Sequence, residues 1–271
     1  MRVEKLIIAI PARLNSLRLP RKVLLDIDGT PMLKRVIDQC KQVKESSDVV
    51  VCTDSLEIKT LAETWGVEAL ITSEACSTGT DRIASVVNTL LSRAWGSRYE
   101  QQQLIDQETL KKTVIINVQA DQPFVSPFLI SDIYNGFNKY NLTSDILTPV
   151  YPLKTQDIHN PNLVKVVIAA NGDALYFSRS AIPHVRGEEP ATWQKFTKYY
   201  GHIGIYGFRA SFLSTISQIP FSNLSKIEKL EQLRFLDSGI VIKTLQTPHE
   251  VESIDTCEDL REVISKMQKT Q

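Results

Sequence analysis

The first group of residues whose chemistry suggests a function is a basic segment near the amino terminus. Arg13, Arg18, Arg21 and Lys22 lie close together, and the next acidic residue is Asp26. Because like charges repel one another, such a cluster favours a bound anion such as a phosphate. The segment contains neither glycine-rich motif that binds phosphates through backbone amides, so side chains would make the contacts. A solvated basic loop is the alternative interpretation.

The second group lies at residues 77–82. Thr78 and Asp81 have the spacing of a capping box, which predicts the start of a helix. Arg82 then lies in the first turn, where a cation opposes the helix dipole. A bound anion would reverse that cost, so we interpret Arg82 as a ligand-binding residue. Asp81 beside it offsets part of the cost without a ligand.

Two aspartates form the third group. Asp121 follows an apolar run and precedes Pro123, so it either caps a turn or binds a magnesium ion that also holds phosphate. Asp255 precedes a second capping box, Thr256 and Asp259, and is not needed as a cap. If the two carboxylates converged to about 4 Å, they would repel by about 4 kcal/mol at an effective dielectric constant of about 20. Only a bound cation or protonation would make that arrangement tolerable.

The last group combines a histidine, a tyrosine and a carboxylate–amide pair. His202 and Tyr206 alternate with other residues along a predicted strand and point to one face, where glycines leave room for a ligand. A buried histidine with satisfied hydrogen bonds is the alternative for His202. Glu231 and Gln232 adjoin an apolar stripe in a predicted helix, and Glu231 has the spacing to pair with Arg234.

Alternating strands and helices position these groups in the first half of the chain. Apolar, β-branched runs predict strands at residues 6–11, 48–53, 68–72 and 114–119, and apolar periodicity predicts helices at 31–44, 56–65 and 83–91. This order predicts βαβ crossovers and an α/β fold, with a mainly parallel sheet covered by helices on both faces. The basic segment and Asp121 both follow strands, and ligands bind at the carboxyl ends of such strands.

The second half is richer in strands. The patterns predict strands at residues 146–151, 164–169, 174–178, 202–208 and 240–245, with Asn171-Gly172 as a hairpin turn, and helices at 225–237 and 256–267. Residues 93–112 are interpreted as a polar surface insertion. We expect a single domain over residues 1–271, in which residues 145–210 form a smaller β-rich region that covers a cleft or pairs with another subunit.

Composition limits the class of protein. The 31 Lys and Arg residues balance the 31 Asp and Glu residues, so neither nucleic acid nor a membrane surface is an expected partner. The apolar run at the amino terminus is too short for a signal peptide or a membrane span. The four cysteines have no zinc-site spacing and are interpreted as reduced, mostly buried thiols. We therefore expect a cytoplasmic protein.

Several motifs occur in one order along the chain: PARLNSLRLPRK, STGTDR, NVQADQP, NPNLVKVV, ALYFSRSAIP, HIGIYGFR, LEQLR and DTCEDL. Together they resemble the 3-deoxy-manno-octulosonate cytidylyltransferases, or CMP-Kdo synthetases, over roughly residues 7–260. The resemblance implies a Rossmann-like nucleotidyltransferase fold, a homodimer and a Mg²⁺ cofactor. It also implies that CTP and the sugar acid 3-deoxy-D-manno-octulosonate (Kdo) react in a cytoplasmic step of lipopolysaccharide precursor synthesis.

The resemblance also implies roles for particular residues. Catalytic roles fall to Arg13, Lys22, Asp121 and Asp255, of which the two aspartates would hold the metal. Nucleotide contacts fall to Ala12, Arg13, Ser16, Lys22, Thr80 and Arg82. Contacts with the sugar acid fall to Arg82, Gln119, His202, Tyr206, Glu231 and Gln232.

The chain departs from the family pattern at three positions. Arg21 and Ala120 stand where the family usually has glycine, and Gln122 stands where it usually has glutamate. Glycine adopts a positive φ at little cost, whereas arginine and alanine do not. We expect these departures to affect the rate and the metal affinity rather than the fold. Activation of another sugar acid (sialic-acid-like or amino-modified) and a non-catalytic nucleotide-binding homologue are the alternative functions.

Overall fold

A ten-stranded mixed sheet forms the centre of the molecule. The computed structural model describes residues 2–16, 19–96, 106–139, 144–248, 250–254 and 256–270. The strands are β1 (Lys5–Ala12), β2 (Asp26–Ile27), β3 (Thr30–Pro31), β4 (Ser46–Thr53), β5 (Glu68–Ile71), β6 (Thr113–Asn117), β7 (Ile146–Pro152), β8 (Lys165–Ile168), β9 (Ala174–Ser178), β10 (Tyr200–His202), β11 (Tyr206–Arg209) and β12 (Ile242–Gln246). The short strands β2 and β3 form a separate hairpin.

Ten helices accompany the strands in the described part of the chain. They are α1 (Met32–Cys40), α2 (Leu56–Thr64), α3 (Gly79–Ala84), α4 (Val87–Trp95), α5 (Gln107–Lys112), α6 (Pro127–Lys139), α7 (Ala210–Leu213), α8 (Asn223–Glu228), α9 (Leu233–Asp237) and α10 (Cys257–Thr270). None of these helices combines the length and the apolarity that crossing a bilayer requires.

The first half of the sheet is parallel and the second half is largely antiparallel. The parallel part has the order β5–β4–β1–β6. Antiparallel pairing then continues from β6 through β11, β7, β10 and β8 to β9, and β12 adds a parallel pair to β7. The predicted turn at Asn171-Gly172 joins β8 to β9, with Gly172 at φ +85°.

Helices cover both faces of the sheet, because alternate residues of a strand point to opposite faces. Leu6, Ile8 and Ile10 of β1 belong to one core, to which α1, α2 and α6 contribute apolar side chains. Ile7 and Ala9 belong to a second core, to which α4, α7 and α9 contribute. A strand that is buried on both faces has a continuous apolar sequence, as β1 has. The expected α/β fold with a helix-covered sheet is confirmed.

Three predictions of helices or strands have the wrong extent, because each predicted range contains two separate elements. The predicted helix 83–91 is divided between α3 and α4. The predicted helix 225–237 is divided between α8 and α9, because Lys229 between them adopts a left-handed conformation (φ +54°). The predicted strand 202–208 is divided because β10 pairs with β7 and β8 whereas β11 pairs with β6 and β7. A tight turn separates the two strands, in which the amide of Ile205 donates to the carbonyl of Ile203 at 2.7 Å.

The predicted insertion at residues 93–112 is partly helical. It includes the end of α4 and all of α5, while residues 97–105 lie outside the described residues. Among the cysteines, Cys40 and Cys52 are buried as expected, whereas Cys76 is half-buried and Cys257 is exposed. All four thiols are free.

Candidate functional site

A cleft of about 420 Å³ opens where β1 and β6 end. Its walls come from the basic loop after β1, the loop that leads into α3, and the loop after β6. Seven of the predicted catalytic and binding residues line it: Ala12, Arg13, Ser16, Lys22, Arg82, Gln119 and Asp121. Pro11, Val23, Cys76, Ser77, Thr78, Gly79 and Ala120 complete the lining. Parallel pairing therefore brings the three loops together at one edge of the sheet, as expected.

Lys22 and Asp121 meet in this cleft although they are far apart in the chain. Lys22 lies on a short 3₁₀ turn and is only 8% exposed. Its Nζ donates to Oδ2 of Asp121 at 2.8 Å. The pair shows that Asp121 does more than cap a turn, since its carboxylate points toward a buried cation at the edge of the sheet.

The carboxy-terminal segment also reaches this loop. The amide of Ile254 donates to the carbonyl oxygen of Asp121 at 3.0 Å. The predicted capping box that follows is present, with hydrogen bonds of 2.8 and 3.1 Å exchanged between Thr256 and Asp259. Asp255 itself and Arg18 lie outside the described residues. The approach of Asp255 to Asp121 therefore stays a prediction.

Arg21 occupies the position where glycine was expected, and it adopts the conformation that glycine favours. Its backbone is left-handed, with φ +56° and ψ +31°, immediately before the turn that carries Lys22. This conformation costs an arginine about 1 kcal/mol. The guanidinium pairs with the carboxylate of Glu57 on α2, at 3.1 Å for one of two contacts. Ala120 has no positive φ, so the cost expected for alanine there is absent.

Arg82 is held by two residues that no sequence motif indicated. Its Nη2 donates to Oδ2 of Asp54 at 2.7 Å, and its Nη1 donates to Oγ1 of Thr72 at 2.5 Å. Asp81, the expected neighbour, instead pairs with Arg234 at 2.7 Å. The signal for Asp54 is its position directly after β4, because β4 ends at the same edge of the sheet as β1.

A chain of buried polar groups runs from the cleft to the second half of the site. Gln119 donates to Asn117 at 2.9 Å, Asn117 donates to Oγ1 of Thr80 at 3.2 Å, and Thr80 donates to Oε1 of Glu231 at 2.6 Å. Thr80 therefore lies beneath the cleft rather than in its lining. Each of these hydrogen bonds gives a partner to a buried acceptor that could not bond to water.

Glu231 does not form the expected ion pair with Arg234, because the guanidinium of Arg234 pairs with Asp81 and the carboxylate of Glu231 accepts from Thr80. Burial raises the pKa of the Glu231 carboxyl, and hydrogen bonds from Thr80 and Thr78 oppose that rise. In these surroundings burial disfavours the charged form of the carboxyl group, and the hydrogen bonds that it accepts stabilise that form. It is therefore well suited to accept a ligand hydroxyl.

His202 is neutral and fixed on one side. Its Nε2 lies 2.9 Å from Oγ1 of Thr148, whose hydroxyl donates to the carbonyl of Ile205 at 2.8 Å. Thr148 therefore accepts from Nε2, which leaves Nδ1 as an acceptor. Burial lowers the pKa of His202 to about 3. The alternative interpretation, a histidine whose hydrogen bonds are satisfied within the protein, therefore holds for Nε2 only.

Tyr206 and Gln232 complete this second group. The rings of His202 and Tyr206 are 5.3 Å apart, although the two residues belong to different strands. Tyr206 faces Asn117 across the pairing of β11 with β6, and burial raises its pKa. Gln232 is buried, and its Nε2 has no acceptor in the part of the chain that the structure describes. A ligand with an acceptor oxygen would satisfy that donor.

Comparison with known proteins identifies similar chains. The cytidylyltransferase family model matches residues 7–244. The 3-deoxy-manno-octulosonate cytidylyltransferase of Chloroherpeton thalassium is 38% identical over 261 residues, which cover 96% of each chain. That of Elusimicrobium minutum is 40% identical over 257 residues, covering 94% of this chain and 95% of the relative. A solved CMP:2-keto-3-deoxy-manno-octonic acid synthetase complexed with CTP has a TM-score of 0.83 and 31% identity, covering 98% of this chain and 100% of that chain.

The backbone of Arg21 gives a stability prediction. We expect Arg21→Gly to be more stable than Arg21→Ala by about 1 kcal/mol, because only glycine adopts this conformation without strain. Both variants lose the contact with Glu57, so the difference between them reports the backbone alone. Urea unfolding measures it. Equal stability of the two variants would show that the turn relaxes when arginine is removed.

The buried imidazole of His202 predicts a dependence of stability on pH. Its pKa is 6.5 in the unfolded chain and about 3 in the folded one, so between about pH 3 and 6.5 the unfolded state binds the proton and the folded state does not. As the pH falls from about 6.5 to 4.5, the wild type should lose up to about 2 kcal/mol more unfolding free energy than His202→Gln. Urea unfolding at each pH tests this. Parallel curves for the two proteins would contradict a buried neutral His202.

Proposed function

The chain belongs to the cytidylyltransferase family, and we propose that it transfers the cytidylyl group of CTP to Kdo, giving CMP-Kdo and pyrophosphate. The observation that carries the proposal is the cleft at the carboxyl edge of the sheet, where Arg13, Lys22 and Arg82 share the lining with Asp121, whose carboxylate pairs with Lys22. The names of the relatives supply the identity of the two substrates. The product is a precursor of lipopolysaccharide.

The reaction is an in-line displacement at phosphorus. A hydroxyl oxygen of the sugar acid bonds to the α-phosphorus of CTP, the bond from that phosphorus to the bridging oxygen breaks, and the hydroxyl proton passes to solvent. Such a transfer depends on positioning and on charge neutralisation more than on covalent chemistry by the protein. Arg13, Lys22 and Arg82 bind the nucleotide, and Arg13 and Lys22 stabilise the charge that develops on the departing pyrophosphate. Asp121 holds the ammonium group of Lys22 in place.

The second polar group of the site suits the sugar acid. Its carboxylate and hydroxyl groups need donors and acceptors held in fixed positions. Arg82 and Gln119 present donors from the cleft, and the amide of Gln232 is a buried donor. The Nδ1 of His202 and the carboxylate of Glu231 are acceptors, and Tyr206 borders both. The hydrogen bond between Thr80 and Glu231 links this pocket to the nucleotide cleft.

Magnesium fits the donor set at the cleft. Mg²⁺ is commonly held by one or two carboxylates together with substrate phosphates, and Asp121 presents a carboxylate that is 31% exposed. Among the described residues, no group of three or more potential ligands occurs, so CTP would complete the coordination. We propose that Asp121 and Asp255 would hold the ion. When bound, it would neutralise phosphate charge and lower the pKa of the attacking hydroxyl.

We also propose a cytoplasmic homodimer. Leu175 on β9 and Ile227 on α8 are large apolar side chains with 59% and 71% exposure. They belong to neighbouring elements, since Ser178 at the end of β9 bonds to Glu228 at the end of α8. Exposed apolar surface of this kind is suited to contact with a second subunit. A cytoplasmic location agrees with the use of CTP as a substrate.

An assay of pyrophosphate release tests the proposed function. We expect release with CTP, Kdo and Mg²⁺, and little with ATP, GTP or UTP. Asp121→Asn should lower kcat by roughly 100-fold or more, because it removes the carboxylate that holds the ammonium group of Lys22 and that would hold the metal ion. Asp132→Asn, at an exposed position on α6, is the matched control.

The other outcomes of this assay are also informative. Normal turnover by Asp121→Asn would overturn its catalytic role. Release with a sialic-acid-like or amino-modified acid, but not with Kdo, would identify a different sugar acid. Binding of CTP without release with any sugar acid would identify a non-catalytic homologue.

Cys76 provides an independent test of where CTP binds. It lines the cleft, whereas burial raises the pKa of Cys52 to about 12 and also raises that of Cys40. Since the thiolate is the reactive form, iodoacetamide should modify Cys76 and the exposed Cys257 first. CTP at ten times its dissociation constant should slow modification of Cys76 roughly tenfold. The rate at Cys257 should not change. Equal rates at Cys76 with and without CTP would exclude this cleft as the nucleotide site.

A further inference from the structure

Arg82 lines the cleft, and its guanidinium group is held by protein side chains. Its side chain is 4% exposed, yet it belongs to the lining of the cleft. Two of its N–H groups are used by Asp54 and Thr72. The other N–H groups have no acceptor in the part of the chain that the structure describes. A planar guanidinium held at one edge directs its remaining donors in a fixed direction.

The two residues that hold Arg82 come from the ends of adjacent parallel strands. Asp54 follows β4 and Thr72 follows β5, and the amide of Thr72 donates to the carbonyl of Thr53 at 2.8 Å. The sheet therefore fixes the positions of Asp54 and Thr72 relative to each other. Side chains of arginine are flexible, and an arginine that binds a ligand gains affinity when its conformation is fixed beforehand.

We propose that Asp54 is a positioning residue for CTP binding, which acts by holding the guanidinium of Arg82 toward the cleft. This inference rests on the proposed function. Asp54 does not line the cleft, so its effect passes through Arg82. The side chain of Asp54 is 16% exposed and lies 2.7 Å from the guanidinium, so the pair is partly shielded from water and salt.

Orientation and charge make opposite predictions for Asp54→Asn. If Asp54 only supplied negative charge near the triphosphate, its removal would strengthen the binding of CTP, because opposite charges on the anion and the cleft would then attract more strongly. If Asp54 orients Arg82, its removal weakens binding. The sign of the change therefore separates the two roles.

The experiment is a double-mutant cycle on CTP affinity, measured by calorimetry with full-length protein and without the sugar acid. The proteins are the wild type, Asp54→Asn, Arg82→Met and the double variant. Asp54→Asn should bind CTP roughly tenfold more weakly than the wild type, a typical size for coupled neighbours. In the Arg82→Met background, the same substitution should change the affinity less than twofold.

Asp48→Asn is the matched control. Asp48 lies on the same strand, β4, and pairs with Arg93 at 2.8 Å, and neither residue lines the cleft. Its CTP affinity should equal that of the wild type. Asp54→Glu keeps the charge but displaces it by one methylene group, so it should also weaken binding. It replaces Asp54→Asn in the cycle if the latter does not fold.

Three results would overturn the inference. They are tighter binding by Asp54→Asn, unchanged binding by that variant, and an equal loss in the wild-type and Arg82→Met backgrounds. The last result would assign Asp54 a role that is independent of Arg82. A wild-type protein that binds no CTP would instead overturn the proposed function, and the inference with it.

Discussion

The parallel pairing of β1 with β4 on one side and β6 on the other is the constraint on which the site depends. In this register Ala12 lies opposite Thr53, and Ala9 lies opposite Asn117. The three strands therefore end at one edge, and the loops that follow them share one cleft. A shift of one residue would turn every side chain of β1 to the other face and move the start of the basic loop along the edge of the sheet. The buried apolar runs thus fix the positions of the polar loops.

Local charge compensation is the second general feature. The chain has no net charge, and four cations of the site and its surroundings, two of them in the cleft lining, each have an acidic partner from a distant segment. The pairs are Lys22 with Asp121, Arg82 with Asp54, Arg21 with Glu57 and Arg234 with Asp81. A buried cation without a partner would be costly, and one with a partner is held in a defined position. These ion pairs stabilise the buried cations in the absence of a ligand. They also fix the positions of the N–H groups that would donate to a bound anion.

The break between α8 and α9 joins the two halves of the molecule. Glu228 at the end of α8 bonds to Ser178 and to the amide of Arg179 in the antiparallel half. After the left-handed Lys229, Glu231 bonds to Thr80 on α3 at the edge of the parallel half. A continuous helix would not bring both contacts into place. The irregular segment is therefore where the proposed sugar-acid pocket and the proposed nucleotide cleft are connected.

The sequence by itself determined the apolar strands, the helix caps at Thr78 and Thr256, and the loops that form the cleft, because these depend on patterns over a few neighbouring residues. The resemblance to the family also indicated that Arg21 occupies a position suited to glycine, and its left-handed backbone agrees with this. Only the tertiary structure decided that Asp54 holds Arg82, that Arg234 pairs with Asp81 rather than Glu231, and that two helices and one strand are divided. The physical reason is that ion pairs between distant segments follow from strand order and register, which no local pattern encodes.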